Sequence, residues 1–292
     1  DNSENNRDSP IYQYFYDLAE QIAPKYCLIS PARFLFNAGQ TSKVWNRKML
    51  QDKHIKVIHY EQESSNIFSN TDIKGGVAIL YRDIQQTFGQ IGTFTSYRQL
   101  NSILEKVECN NFKSISDMLY LTTSYSFTDK VFKDKPKIKD VIKNDMALRT
   151  NIFDKVPELF SDQKTNSKQI QIYGRQNRNR IYKYINSHHI QDSGNLKGYK
   201  IFIPKANGSG ELGEVLSTPI IGIPDVGHTQ TFISIGNFNN KTEARNCLNY
   251  IKTKFARTML GIKKITQDNT TKDVWAKVPL QDFTANSDID WS

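Results

Sequence analysis

The chain has 292 residues, of which 38% are hydrophobic and 24% are charged. This mixture is typical of a globular protein, and it excludes a disordered chain, a collagen-like repeat and a small disulfide-stapled scaffold. The 39 basic and 30 acidic residues leave a net charge of +9. Such a charge favours a polyanionic partner, because each neutralised phosphate releases a counterion. The alternative is that the charge only keeps the surface soluble.

Two further features of the composition concern location. No apolar run reaches the roughly 18 residues that a membrane-spanning helix needs, so we expect no membrane contact. The three cysteines are far apart and odd in number, which argues against a disulfide framework and predicts a cytoplasmic protein. The sequence has no signal peptide and begins at Asp1 without a methionine, from which we expect a piece of a longer polypeptide.

The first 86 residues predict alternating helices and strands. A helix starting at Ser9-Pro10 has one apolar face at steps of four, three and four residues, formed by Ile11, Phe15, Leu18 and Ile22. Further along, the sequence predicts a strand over 26–29, a helix over 41–52 and strands over 55–60 and 75–81. The first strand lacks alternation, so we expect both of its faces to be covered, as in a parallel sheet. This order predicts part of an α/β domain.

After residue 86 the segments become short and polar, and we predict two domains, 1–86 and 87–292, the second of the α+β class. The predicted elements of the second domain are helices over 97–107 and 114–120, an exposed lysine-rich loop over 130–143, strands over 169–173, 181–185, 199–203 and 229–235, and a helix over 240–260. Asn240 and Glu243 form a capping box at the start of that last helix. Its apolar stripe consists of Ala244, Leu248, Ile251, Phe255 and Met259.

Several short motifs of enzymes and metal sites are weak here. Residues 208–213 match the G-x-G-x-x-G pattern, but Pro219 leaves no room for the helix that would receive a pyrophosphate, so we predict no nucleotide site. His188 and His189 are adjacent, and on a strand they would point to opposite faces, so we predict no metal site. No serine or cysteine has the surroundings of a catalytic nucleophile.

The segment between the predicted strands 169–173 and 181–185 indicates DNA recognition. Arginine can contact guanine, glutamine and asparagine can contact adenine, and all three can hold phosphates, so a hairpin tip bearing them would suit a major groove. The alternative is an ordinary soluble turn. The predicted contacts are Arg175, Gln176, Asn177, Arg178, Arg180 and Lys183, with Lys205, Asn207, Thr229 and Gln230 as second choices in nearby loops. We expect the lysines of 130–143 to supply attraction to phosphates rather than specificity, with a merely solvated surface as the alternative: Lys130, Lys133, Lys135, Lys137, Lys139 and Lys143.

The order of motifs along the chain is typical of one enzyme family. The segments concerned are 9–23, 25–35 with its run Ser30-Pro31-Ala32-Arg33-Phe34-Leu35, 55–60, 66–68 and 75–82. They resemble the second half of the catalytic domain of gamma-class adenine-N6 DNA methyltransferases of type II restriction–modification systems. Residues 204–210, 227–232 and 250–257 are similar to the target-recognition domain of the same enzymes. The resemblance therefore implies a partial methyltransferase sheet of the Rossmann-like kind, followed by a DNA target-recognition domain.

The resemblance implies a parent enzyme that transfers a methyl group from S-adenosylmethionine to adenine N6 in double-stranded DNA. The family's glycine-rich cofactor turn and its Asn-Pro-Pro-Tyr loop do not occur in these 292 residues. We therefore expect no catalytic, cofactor-binding or metal residue in this chain, which would be inactive without the N-terminal half of the enzyme, in the same polypeptide or a separate subunit. The resemblance also implies that Phe68 stacks on the extruded target base. The alternative for Phe68 is an ordinary loop residue.

Two other functions stay open at this point. In one, the chain is a stand-alone DNA specificity subunit, and the stripe of the helix over 240–260 faces a catalytic partner. In the other, the chain is a magnesium-dependent DNA endonuclease, because Asp72 and Lys74 have the D-x-K spacing of nuclease strands.

Overall fold

The computed structural model describes residues 10–37, 40–109, 112–208, 211–264 and 267–291. Contacts divide the chain into two compact units, residues 1–110 and 111–292. The division follows residue 110 rather than residue 86, because Ile91 and Phe94 pack against the core of the first unit. Among the described helices, none combines the length and the apolar character needed to cross a bilayer.

The first unit holds a three-stranded sheet and three α-helices within the described residues. Its elements are α1 (Tyr12–Ile22), β1 (Lys25–Pro31), α2 (Lys43–Gln51), β2 (Ile55–Glu61), β3 (Val77–Asp83) and α3 (Arg98–Cys109), with 3₁₀ turns at Arg33–Phe36 and Ser64–Asn66. The strand order is β1-β3-β2, and β3 runs antiparallel to both neighbours. The predicted helices and strands of this region are confirmed in type, with ends shifted by a few residues.

The expectation that the first strand is covered on both faces is wrong for this unit. In β1, Tyr26 and Ser30 are buried, whereas Cys27 and Ile29 are exposed. A strand with one buried face is typical of an antiparallel sheet, which is how β1 pairs with β3. No layer formed by described residues therefore covers one face of the sheet at β1.

Helix α1 buries a different face from the one that the sequence predicts. Tyr16 is buried, and its hydroxyl lies 2.9 Å from the hydroxyl of Ser30 on β1. Its ring packs against Tyr26, Phe34 and Trp45 at centroid distances of 5.8–6.0 Å. The aromatic cluster takes up this face, so the predicted apolar residues are exposed: Ile11, Phe15, Leu18 and Ile22. The predicted helix start at Ser9 lies outside the described residues.

Within its described residues, the second unit is built from three small sheets and short helices. Its strands are β4 (Leu119–Tyr120), β5 (Tyr125–Phe127), β6 (Gln169–Gln176), β7 (Asn179–Asn186), β8 (Ile190–Asp192), β9 (Tyr199–Pro204), β10 (Ile220–Gly222), β11 (Val226–His228) and β12 (Phe232–Phe238). Its helices are α4 (Lys130–Asp134), α5 (Ile138–Ile142), α6 (Ile152–Lys155), α7 (Lys241–Lys252), α8 (Lys254–Lys263) and α9 (Lys272–Trp275). The sheets have the orders β10-β9-β12-β4, β11-β6-β7 and β5-β8. The pairing of β11 with β6 is parallel, and the other pairs are antiparallel.

The predicted lysine-rich loop and the helix over 114–120 have other structures. The lysine-rich segment contains α4 and α5, which bury Val131, Ile138 and Ile142 in the core and leave the lysines outside. Its apolar residues recur between the lysines, and they anchor the segment. The stretch over 114–120 is a 3₁₀ turn at Ile115–Met118 followed by β4.

The capping box at Asn240 is confirmed, but the single long helix is not. The Asn240 side chain accepts a hydrogen bond from the Glu243 amide at 2.9 Å. Thr253 ends α7 and caps α8 through its side chain, which accepts from the Ala256 amide, so the chain bends there. The stripe of α7 packs on β9, β10 and β12 rather than facing a partner, and Ala244 and Ile251 are buried. Phe255 is the member of the predicted stripe that is exposed.

Buried polar groups hold the centre of the second unit in place. His228 is fully buried, and its ring nitrogens lie 3.0 Å from the Thr229 carbonyl and 3.1 Å from the Ser234 hydroxyl. Burial, with a smaller contribution from the charge of Lys200, lowers the pKa of His228 from 6.5 to about 4. Lys200 donates to the carbonyls of Leu196 and Val226, and burial lowers its pKa to about 8.

We predict that His228 makes the second unit sensitive to acid. Its pKa in the folded state lies below the unfolded value of 6.5, so the unfolded chain binds the proton first as the pH falls. The contribution of the neutral His228 ring to the free energy of unfolding is fully present above pH 6.5. It is lost progressively as the pH falls from 6.5 through 4, and the total loss is about 3 kcal/mol. Urea unfolding at several pH values should show a smaller slope in this window for His228→Gln. His59→Gln, at an exposed position of the first unit, should keep the wild-type slope.

Candidate nucleic-acid interface

The predicted hairpin is present and is longer than expected. Strands β6 and β7 pair over their whole length, and only Asn177 and Arg178 form the connection. Both residues have positive φ, 49° and 65°, as the two-residue type I′ turn of a hairpin requires. Gln176 and Asn179, which the sequence predicted in the loop, are the last pair of the ladder. The arm is therefore an ordered, twisted ribbon with a narrow tip.

An aromatic stack joins the base of this hairpin to the four-stranded sheet. Tyr173 on β6 lies 4.4 Å from the ring of Phe232 on β12, 5.5 Å from Phe202 on β9 and 4.7 Å from Tyr182 on β7. Tyr173, Phe202 and Phe232 are buried, whereas Tyr182 is 40% exposed. The stack fixes the direction of the hairpin relative to the rest of the second unit.

The hairpin carries positive charge and has no acidic residue of its own. Residues 169–186 contain three arginines and one lysine and no acidic residue. Arg175 and Arg180 are directly opposite each other in the ladder, an arrangement that is unfavourable for like charges. Arg175, Asn177 and Arg178 are exposed, and their side chains make no hydrogen bond or ion pair within the described part of the chain. These three side chains are available for an external anion or base.

The other predicted hairpin residues are held by neighbours in the second unit. Gln176 donates to Asp154 at 2.6 Å, and the Lys183 ammonium lies 2.5 Å from the carboxylate of Asp162. Arg180 donates to the carbonyl and hydroxyl oxygens of Thr218, with its guanidinium 5.7 Å from the centre of the Phe232 ring. We therefore regard Gln176, Arg180 and Lys183 as residues that shape the surface, and the tip as its free part.

The second-choice residues divide into two pairs. Lys205 is exposed and Gln230 half-buried, and both line a groove of about 380 Å³. Asn207 and Thr229 are buried, and their side chains are used inside the unit. Asn207 donates to the Val215 carbonyl and accepts from the Ser217 amide, and Thr229 bonds to Thr231 at 2.9 Å. Direct contact with DNA requires an exposed side chain, so Asn207 and Thr229 are left out of the proposed contacts.

The segment 229–231 contacts both the hairpin and a strand end beside the groove. The Thr229 amide donates to the carbonyl of Tyr173 on the hairpin, and the Lys205 amide donates to the carbonyl of Thr231. The remaining residues that line the groove were not predicted: Thr122, Ala206, Gln267, Asp268 and Thr270. They come from distant parts of the chain, and no local pattern marks them.

Phe68 lies in the loop between β2 and β3 of the first unit. Its side chain is 41% exposed, and its amide donates to the carbonyl of Ser64. In the same loop, Asp72 and Lys74 form an ion pair with each other at 2.7 Å, and both side chains are about three-quarters exposed. Among the described residues, no further carboxylate or histidine joins Asp72 to form a metal-binding group. The nuclease hypothesis therefore gains no support.

The two adjacent histidines converge, contrary to the argument made from the sequence. Ser187–His189 is a 3₁₀ turn rather than part of a strand, so both side chains point to the same carboxylate. Nε2 of His188 and Nε2 of His189 each lie 2.8 Å from Oδ2 of Asp134. Hydrogen bonds from these two histidines lower the pKa of Asp134.

The glycine-rich motif lies partly outside the described residues, at positions 209–210. Gly208 and Gly213 have positive φ, and no helix begins between 211 and 219 in the described structure. The described residues that follow the motif are thus irregular up to Pro219, where the sequence predicts no room for a helix.

Comparison with known proteins relates the N-terminal segment to one family. The family model described as Eco57I restriction-modification methylase matches residues 1–68. No curated protein matches this chain significantly. The family match supports a relation to restriction–modification methylases, carried by the segment up to and including Phe68.

We predict that the tip of the hairpin is strained by the arginine in its second turn position. Arg178 has φ of 65°, a region that glycine adopts without a steric cost. Arg178→Gly should therefore raise the free energy of unfolding by about 0.5–1 kcal/mol. Asn179→Gly, one residue further and inside the strand, should lower it. An equal loss of stability in both variants, measured by urea unfolding, would show that the turn is not of this type.

Proposed function

We propose that this chain is the DNA-reading part of a site-specific adenine-N6 DNA methyltransferase of a restriction–modification system. The observation that carries the proposal is the cationic hairpin, whose tip presents Arg175, Asn177 and Arg178 without internal partners. The match of residues 1–68 to a restriction-modification methylase supports the enzyme class. In this proposal the first unit is the end of the catalytic domain, part of a Rossmann-like sheet, and the second unit recognises the target sequence.

The shape of the hairpin suits a duplex. A two-stranded ribbon fits the major groove of B-DNA, and its tip residues reach base edges while the flanking cations hold phosphates. Arg178 and Asn177 are the proposed base contacts, because arginine can bind guanine and asparagine can bind adenine. Arg175 and Lys205 are the proposed phosphate contacts. Arg180 shares one face of the ribbon with Arg175, whereas Gln176 and Lys183 lie on the other face. Gln230 lines the groove together with Lys205.

The proposed reaction depends on groups that this chain lacks. When bound, S-adenosylmethionine supplies the methyl group to the adenine amine. The glycine-rich turn and the Asn-Pro-Pro-Tyr loop are absent from the sequence, so a second segment or subunit would hold the cofactor. Phe68 is the one position of this chain proposed to meet the target base. Its exposed ring, at the last residue of the matched segment, supports that role.

The exposed face of α1 suggests that the first unit binds another polypeptide. The four predicted apolar residues of this helix are between 51% and 74% exposed: Ile11, Phe15, Leu18 and Ile22. A grouped apolar surface is typical of an interaction site, since isolated exposed apolar residues are ordinary. We infer that the cofactor-binding half of the methyltransferase covers this face, and we name the surface formed by these four residues the apolar face.

No observation on the described residues favours either alternative function, the specificity subunit or the endonuclease. A specificity subunit was expected to assemble through the apolar stripe of the helix over 240–260, but α7 buries its stripe within its own unit. An endonuclease was expected to use Asp72, which pairs with Lys74.

The DNA-binding proposal predicts a loss of affinity when the tip is changed without unfolding the hairpin. Arg178→Gly should keep or raise stability and should weaken binding to the preferred duplex by about 1–3 kcal/mol at one base pair. Selection from a randomised duplex pool, followed by fluorescence anisotropy, identifies the preferred sequence and measures the loss. The logarithm of the association constant for DNA falls linearly with the logarithm of the salt concentration. Arg175→Ala should make this decrease less steep by about 0.9, the value expected for the loss of one phosphate contact.

The matched control is Arg245→Ala, which removes an exposed arginine from α7. This variant should keep the sequence preference of the wild type. Unchanged affinity of Arg178→Gly for both preferred and random duplexes would remove the hairpin from the interface. Absence of any duplex binding in dilute buffer would refute the proposed function for this chain.

The apolar face predicts association with the cofactor-binding half. Phe15→Ser combined with Leu18→Ser should leave the unfolding midpoint of the chain close to the wild-type value, because neither side chain is buried. The same change should weaken binding to a polypeptide with the glycine-rich turn and Asn-Pro-Pro-Tyr loop, from the same restriction–modification locus, at least about tenfold. The control Val44→Ser, at a 79% exposed position of α2, should bind as the wild type does. Equal binding of all three proteins by analytical ultracentrifugation would contradict the assignment of this face.

A further inference from the structure

The second unit contains one cluster of three metal-ligating side chains among its described residues, separate from the proposed DNA contacts. Its members are Asp134, His188 and His189, whose nearest ligand atoms all lie within 4.8 Å of one another. Asp134 is the last residue of α4, and the histidines lie in the 3₁₀ turn that follows β7. The cluster is therefore located at the end of the hairpin strand that is remote from the tip.

The backbone places these groups before any ion is present. Thr128, just before α4, donates its amide to the His189 carbonyl at 2.9 Å and its hydroxyl to the His188 carbonyl at 2.7 Å. Val131 of α4 is buried in the core of the unit, so the helix is held from its other side as well. The His188 and His189 rings lie 4.2 Å apart, edge to face, with both Nε2 atoms directed to Asp134. Little rearrangement of the chain is needed to bring three ligands to one ion.

Two imidazole nitrogens and one carboxylate oxygen form a donor set that suits zinc. Zn²⁺ binds histidine nitrogen at about 2.0–2.1 Å and carboxylate oxygen at about 2.0–2.2 Å, usually in a tetrahedron. Tetrahedral ligands at these lengths are about 3.3 Å apart, whereas the two N–O distances here are 2.8 Å. Binding thus requires an opening of about 0.5 Å. The Asp134 side chain is 48% exposed and can move by that amount.

The exposure of the ligands leaves one coordination position open to water. His189 is buried, but His188 is 37% exposed, as is about half of Asp134. Nδ1 of His189 is buried without a hydrogen-bond partner among the described residues. A ligating histidine is usually oriented by such a bond, and its loss costs about 10–100-fold in metal affinity. The site should therefore bind zinc more weakly than a closed structural site does.

We propose that Asp134, His188 and His189 bind a divalent zinc ion, which fastens α4 to the end of the hairpin strand β7. The three protein ligands and one water would complete the tetrahedron. Each histidine binds through the Nε2 lone pair, and the proton that Nε2 carries in the hydrogen-bonded form moves to Nδ1 of the same neutral ring. The ion replaces two hydrogen bonds to one oxygen by three coordinate bonds, so it should hold the lysine-rich segment over 130–143 more firmly.

The test uses the whole chain, freed of metal with a chelator and then dialysed. Calorimetric titration with Zn²⁺ should give one ion per chain, and Co²⁺ should give the visible absorption of a tetrahedral site. Zn²⁺ at about 100 times its dissociation constant should raise the midpoint of thermal unfolding by about 5 °C. Asp134→Asn and His188→Gln should each weaken binding at least about tenfold, and both positions are exposed enough for the variants to fold.

The matched control is His59→Gln, which removes an exposed histidine of the first unit and should bind zinc as the wild type does. Far-ultraviolet circular dichroism of the metal-free variants separates a lost ligand from a lost fold. If Asp134→Asn and His188→Gln keep the wild-type fold and the wild-type affinity, the site is not where we place it. A wild-type chain that shows no saturable binding of Zn²⁺ or Co²⁺ would also overturn the proposal.

Discussion

The aromatic stack around Tyr173 determines where the second unit presents its charge. Tyr173 contacts Phe202 and Phe232, which belong to the four-stranded sheet, so one side chain joins two sheets that share no backbone hydrogen bonds in their ladders. A two-stranded ribbon is only marginally stable by itself. Because the stack and the pairing of β11 with β6 hold its base, the tip can be strained and highly charged while the ribbon keeps its shape.

The hairpin combines features that lower stability with features that favour binding. Arg178 occupies a backbone region that suits glycine, and Arg175 faces Arg180 across the ladder. Each of these costs free energy in the isolated protein. A polyanion in contact with the tip would relieve the repulsion, so the same residues that weaken the free hairpin would strengthen a complex. Arg180 and Lys183 are paired with groups of the unit, which leaves the outermost positions as the exposed charges.

The first unit differs from the second in that it exposes apolar side chains rather than unpaired charges. Tyr16, Tyr26, Phe34 and Trp45 form a compact core on one side of the sheet. Helix α1 has more apolar residues than this core can cover, so Phe15 and Leu18 remain exposed. Water contact of such a face is unfavourable by the hydrophobic effect, and its burial would favour association. The two units thus present different chemistry, charge in one and apolar surface in the other, and the proposed function uses both.

Much of the local structure could be predicted from neighbours in the chain. The Asn240 cap, the short α2 helix and the paired strands of the hairpin all depend on contacts between residues a few positions apart. The predicted strands were too short because Asn177 and Arg178 adopt turn geometry that Asn-Gly would have indicated more clearly. The long helix over 240–260 was divided because Thr253 can cap a new helix through its own hydroxyl, a competition that apolar periodicity does not show.

The sequence by itself determined the type of the predicted helices and strands outside 114–120 and 130–143, and it indicated that positive charge gathers on one ribbon. Only the tertiary structure decided which face of α1 is buried, because Tyr16 meets an aromatic cluster contributed by residues up to Trp45. It also decided that Asn207 and Thr229 lie inside, and that His188 and His189 meet Asp134, which is more than fifty positions earlier in the chain. Periodicity reports interactions within one element, whereas burial and convergence depend on which distant elements pack together.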